Sequence, residues 1–131
     1  MASKRQHDGM AWVRLYTDFP RHPKTLRLMS TAKGREAVGI YAFALTWCGD
    51  QLTDGHIPDY VLPALHATKA HTDLLEQAGL WDRNGTGWHI HNWEVRQETV
   101  ADLATSRQKK RKAACIQHHG PNCGCWTGTP T

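Results

Sequence analysis

The sequence has no apolar run approaching the roughly 20 residues that a membrane-spanning helix requires. Its opening stretch, MASKRQHDGM, holds no apolar core of the kind a secretory leader carries. Both absences lead to the expectation of a cytoplasmic protein with no membrane partner. There is no glycine-rich phosphate loop and no G-x-S-x-G elbow, so none of the common catalytic motifs is present and an enzyme is not expected. No internal repeat is visible. No heptad seam is present either, which leaves the oligomeric state open. Cysteine is scarce: of the four residues, Cys48 sits in an apolar helical pattern, while Cys115, Cys123 and Cys125 share one short window. A disulfide scaffold would spread them along the chain. Clustered cysteines beside histidines point to metal instead.

Acidic residues are also scarce, but only at the two ends. Residues 1–36 carry eight Lys and Arg against three acids, net +5. Residues 37–95 carry two against seven, net −5, and residues 96–131 carry six against two, net +4. A polyanion would meet the ends first. The plainer reading is solvated charge on the termini.

The organisation follows from periodicity. Residues 1–10 are a polar lead-in. Trp12 to Thr17 alternates as a short strand does, and Pro20 and Pro23 end it. KTLRLMS, 24–30, gives one or two helical turns. Over 32–49, Ala37, Ile40, Tyr41, Ala44, Leu45 and Cys48 recur at helical spacing. Val38, Phe43 and Trp47 widen that stripe toward an all-round apolar, central helix. Gly39 is expected to admit a close neighbour. Asp59 is expected to cap a short helix over 60–66, and Thr68 a second over 69–78, with Gly79 at its C′ position. Short helix, tight turn and second helix make a helix-turn-helix pattern. Asn84-Gly85 is a strong hairpin signal. That turn pairs Trp81 with Trp88 and puts Trp81, Trp88 and Ile90 on one face. A turn at Gly85-Thr86 would change the pairs. Residues 94–114 read as a polar helix entering RQKKRK, 107–112, and the Gly- and Pro-rich stretch from 115 reads as loop.

The segments W12-V-R-L-Y, H22-P-K, L52-T-D-G-H-I-P, E76-Q-A-G-L-W and W88-H-I-H-N-W resemble, in that order, a group of actinobacterial-phage proteins. These are described as helix-turn-helix or winged-helix proteins and are likened to the N-terminal domains of DnaD-like replication initiators. The resemblance covers about residues 11–95. It implies a mainly helical α+β fold, a winged helix-turn-helix, to which the residues themselves add a basic helix over 96–114. It also implies a DNA-linked role in a phage life cycle, in the host bacterial cytoplasm, connected with replication initiation or transcription control. It implies no catalytic residues.

On that reading DNA is the expected partner. Arg107, Lys109, Lys110, Arg111 and Lys112 are the first candidates for phosphate contact, and Arg14, Arg21, Lys24 and Arg27 the second. In a winged helix the second helix of the helix-turn-helix enters the major groove. That makes Lys69, His71 and Thr72 candidates for base contact, with Arg83 near the wing tip. Asp73 and Glu76 on the same helix would repel phosphate. The competing reading is a protein-binding adaptor whose acidic middle engages a host or phage replication or transcription protein.

Residues 115–131, CIQHHGPNCGC and beyond, form a candidate structural zinc knuckle. Cys115, either His118 or His119, Cys123 and Cys125 make a Cys3His set around a Gly120-Pro121-Asn122 turn. Incidental cysteines in a loose tail are the alternative. His89 and His91 share a strand face but have no third ligand in view, so packing against Trp93 is expected. Trp12, Trp47, Trp81, Trp88 and Trp93 are expected in the core.

Overall fold

The computed structural model describes residues 9–119, with the backbone alone at 115, 116, 118 and 119. The chain divides after Gln97 into two units, and each is described by itself. The first is an α+β unit, mainly helical, with a three-stranded antiparallel sheet.

Helix α1 spans Pro23–Leu28. Proline at its first position needs no amide partner, and the His22 Nδ1 accepts the Lys24 N–H at 3.2 Å. Helix α2, Ala32–Gln51, starts where Thr31 Oγ1 accepts the Gly34 N–H at 3.0 Å. Ala37, Ile40, Tyr41, Ala44, Leu45 and Cys48 are all buried on one stripe, as their spacing predicts. The stripe is narrower than expected. Phe43 is 58% exposed, so α2 keeps a solvent face. Close approach occurs at Gly34 and Gly49 rather than at Gly39, around which nothing lies within 4 Å of a built Cβ.

The third strand of the sheet comes from an unexpected place. Strand β1 is His56–Pro58, a three-residue stretch between α2 and the helical turns that begin at Asp59. Residues 12–16 form no strand. Alternation there reflects a segment lying on the surface, with Trp12 71% exposed and Leu15 and Tyr16 also outside the core. Its backbone is met by a side chain instead. The buried Gln97 amide accepts the Arg14 N–H at 2.8 Å through Oε1 and donates to the Arg14 carbonyl at 2.7 Å through Nε2.

Asp59–Leu65 is a 3-10 helix, not a capped α-helix. Pro63 lies inside it and removes an amide that an α-helix would use. Asp59 makes no cap bond at its start and turns to Arg83. Helix α3, Lys69–Gln77, starts at Thr68, whose backbone N–H donates to His71 Nδ1 at 3.0 Å. It ends at Gly79, φ +78°, a left-handed C′ glycine.

Strands β2, Trp81–Asn84, and β3, Gly87–Ile90, form the hairpin. The turn residues are Gly85 and Thr86, not Asn84 and Gly85, and the pairs are Trp81 with Ile90 and Arg83 with Trp88. Gly85 has φ +58° while Thr86 has no positive φ, the pattern of a II′ turn with glycine first. Against the Asn-Gly register, the shift is two residues. Trp81, Trp88 and Ile90 therefore keep the shared face expected of them. Strand order is β1-β3-β2. Trp81, Trp93, Ile57, Leu75, Ile90 and Cys48 are the largest fully buried side chains, so the core lies between α2, α3 and the sheet. A four-residue helix α4, Trp93–Arg96, closes the unit.

The expected single helix over 94–114 is broken. Gln97 is extended, φ −115° and ψ 160°. The second unit then holds α5, Val100–His119. Thr99 and Asp102 cap its start reciprocally, each side chain accepting the other's backbone N–H at 3.1 Å. The helix continues past 114, through the first residues of the stretch read as loop. Among the described residues, no helix is long and apolar enough to cross a membrane.

Candidate nucleic-acid interface

Helix α5 concentrates positive charge. Arg107, Lys109, Lys110, Arg111 and Lys112 are all exposed, and no acidic residue occurs from Leu103 to His119. At about 100° per residue, Arg107, Lys110 and Arg111 share one face, while Lys109 and Lys112 lie on the opposite one. Lys109, Lys110 and Arg111 have no ion pair among the described residues.

The α3 surface is different. His71 is 4% exposed and Thr72 is 3% exposed, so neither presents its side chain to a groove. As base-contact candidates both are corrected by burial. Thr72 Oγ1 donates to the Lys69 carbonyl at 3.0 Å. His71 bridges α3 to α2. Its Nδ1 accepts from an obligate backbone donor, so its proton sits on Nε2 and is donated to Glu36 Oε1 at 2.7 Å. That bond, together with Lys33, holds the Glu36 carboxyl below the usual carboxylate range.

Lys69 remains at the surface, but its Nζ pairs with Asp73 Oδ2 at 2.9 Å. Arg83 grips Asp59 with two bonds, 2.6 and 2.9 Å, and lies 5.0 Å over the Trp88 ring. The hydrogen bond to Asp59 raises the Arg83 pKa and lowers that of Asp59. The groove between α3 and the hairpin is thus lined by Asp59, Asp73 and Glu76 against two already paired cations. It is poorly suited to phosphate.

Of the second group, Arg21 and Arg27 are exposed and stand apart, while Arg14 and Lys24 enter one cleft with Arg96. Arg14 Nη1 donates to the Arg96 carbonyl at 3.2 Å, Lys24 Nζ donates to the Gly79 carbonyl at 3.0 Å, and the Arg96 guanidinium lies 4.8 Å over the Tyr16 ring. Tyr41 also lines the cleft; burial raises its phenol pKa, and Arg96 offsets part of that rise. Sequence reading missed Arg96 as a member of this group. Its contact with Arg14 spans 82 positions, and nothing in local pattern signals it.

His89 and His91 do not form a metal pair. His89 Nε2 meets Glu94 at 2.9 Å and His91 Nδ1 meets Asp82 at 2.8 Å. Among the described residues, no group of three or more His, Cys, Asp and Glu is arranged to hold a metal. Cys115, His118 and His119 fall on the α5 backbone, whereas Cys123 and Cys125 lie outside the described residues. Cys48 is buried, and burial pushes its thiol up to about 11.

No family model, no curated protein and no solved structure matches the chain.

Proposed function

We propose that the chain is a non-enzymatic DNA-binding protein of winged-helix type, with its main phosphate contacts on α5. The observation that carries this reading is the exposed, acid-free cationic run from Arg107 to Lys112. The element order supports the fold assignment. Helix α2, strand β1, the 3-10 helix, α3 and the β2–β3 hairpin follow one another, and β3 pairs back onto β1. In this reading α3 and the hairpin build the scaffold, while α5 grips the backbone of the duplex. A role in replication initiation or transcription control, in the cytoplasm of a phage-infected bacterium, rests on the motif resemblance described above. The adaptor reading is weaker because Asp59 and Asp73 are already neutralised by Arg83 and Lys69.

Duplex titration at two salt concentrations tests the proposal. Each phosphate contact contributes a slope of about −0.9 to log K against log salt. Replacing Lys109, Lys110 and Arg111 with glutamine is expected to flatten the slope by roughly two contacts' worth, those of Lys110 and Arg111 on their shared face. Absence of binding by the unmodified chain at low salt would sink the DNA reading. The same proposal includes a structural zinc ion held by Cys115, His118 or His119, Cys123 and Cys125. Metal analysis of protein purified without chelator tests it, and a negligible zinc content removes it.

A further inference from the structure

The cleft between the 14–25 segment and α4 gathers three cations against a single carboxylate. Arg14, Lys24 and Arg96 line it, and Asp18 is the one carboxylate among its lining residues. Their hydrogen bonds go to carbonyl oxygens and their ring contact to Tyr16, so none is in an ion pair among the described residues. Carbonyls and rings orient a cation but do not neutralise it. Three like charges against one carboxylate leave an excess of positive charge in one small space, which a further anion would relieve.

Two further donors line the same cleft. His22 Nδ1 accepts the Lys24 N–H, which leaves the proton on Nε2. Thr25 is only 3% exposed, and its Oγ1 is buried with no partner among the described residues. A buried hydroxyl without a partner is costly, and such atoms are commonly completed by a bound group. The cleft volume is about 40 Å³. At roughly 10–15 Å³ per water-sized centre, that holds about three waters, the space of one tetrahedral anion and not of a whole nucleotide.

We propose that this cleft binds a single phosphate group through Arg14, Lys24, Arg96 and Thr25, separately from the cationic run of α5. The phosphate is either free in solution or one residue of a nucleic-acid backbone. The site does not rest on the α5 reading, and the two can fail independently.

The test is an amide-resolved NMR titration of the full chain with inorganic phosphate, run beside potassium chloride at matched ionic strength. Saturable shifts at residues 14, 24, 25 and 96 with phosphate alone are expected. Equal shifts with chloride, or shifts confined to α5, overturn the site. Arg14→Gln keeps the Gln97 bonds, which use only the Arg14 backbone. It is expected to weaken phosphate binding by roughly tenfold, as loss of a charged hydrogen bond does. Thr25→Val separates binding from stability, because it removes an unpartnered hydroxyl. It is expected to preserve or raise thermal stability while weakening phosphate. Unchanged phosphate binding in both variants overturns the proposal. Adding a duplex at saturating phosphate then identifies the source. Displacement assigns the site to a backbone phosphate, and simultaneous binding assigns it to free phosphate. Duplex binding through α5 with no phosphate response in the cleft would refute this site alone.

Discussion

A Cβ added at Gly34 would collide with the Leu28 carbonyl, whereas one at Gly39 meets nothing within 4 Å. Two glycines five residues apart on one helix therefore behave oppositely. Gly34→Ala is expected to cost at least 1–3 kcal/mol, roughly the penalty of overpacking. Gly39→Ala is expected to add roughly 0.5–1 kcal/mol through helix propensity. Urea denaturation of both variants checks the pair. Sequence alone could not separate them, because the difference lies in where α1 ends against α2. Charge at the residue scale is likewise set by a distant partner. The Arg83 guanidinium holds the Asp59 carboxyl below its ordinary range. A carboxylate depressed on folding contributes stability that is present above its ordinary value of about 4 and lost as pH falls through the lower folded value. Arg83→Gln is expected to reduce the acid-side loss of stability, compared between neutral pH and pH values below that range. An unchanged profile would show that the pair is screened away, as exposed pairs often are.

Among the elements, α2 and the hairpin faces were legible in the sequence for one reason: each is fixed by its own periodicity. Six buried positions at helical spacing define α2, and a shift of two residues in the hairpin left Trp81, Trp88 and Ile90 together. The 12–17 segment misled because alternation requires a partner strand to become a strand, and none pairs with it among the described residues. The 94–114 helix was overextended because Gln97 spends its amide on Arg14 and leaves the helical conformation. Helix α5 carries a prediction of its own. Arg107, Lys110 and Arg111 are spaced so that like charges meet at i,i+3 and i,i+4, which destabilises a helix. Contact with phosphate removes that repulsion, so ellipticity at 222 nm is expected to become more negative on adding a duplex. Thr99→Ala, which breaks the Thr99–Asp102 box, is expected to lower both helicity and affinity. Tight duplex binding with unchanged ellipticity would contradict this coupling.

Across the whole molecule, basic ends and an acidic middle were visible from the sequence, but their consequences were not. Four of the seven acidic residues of the middle are spent on internal pairs with Lys69, Arg83, His89 and His91. The basic residues divide between α5 and a cleft assembled from positions more than 80 residues apart. Stability and polyanion binding should then be separable. Glutamine at Lys109, Lys110 and Arg111 is expected to leave the melting temperature of the first unit unmoved while duplex affinity falls. A matching loss of thermal stability would mean that α5 supports the fold instead of binding DNA.

The bond between Gln97 and the Arg14 backbone closes a ring of chain 83 residues long through one side chain. Arg14 lies in an irregular, exposed stretch, where amide hydrogens ordinarily leave quickly. Its amide is instead clasped from the far end of the unit. Deuterium exchange at this position therefore becomes a gauge of whether the two ends have let go, not of local fraying. Long closures are entropically unfavourable until the contacts within the ring exist. The stretch before α1 is thus expected to lock last during folding and to report its reversal first.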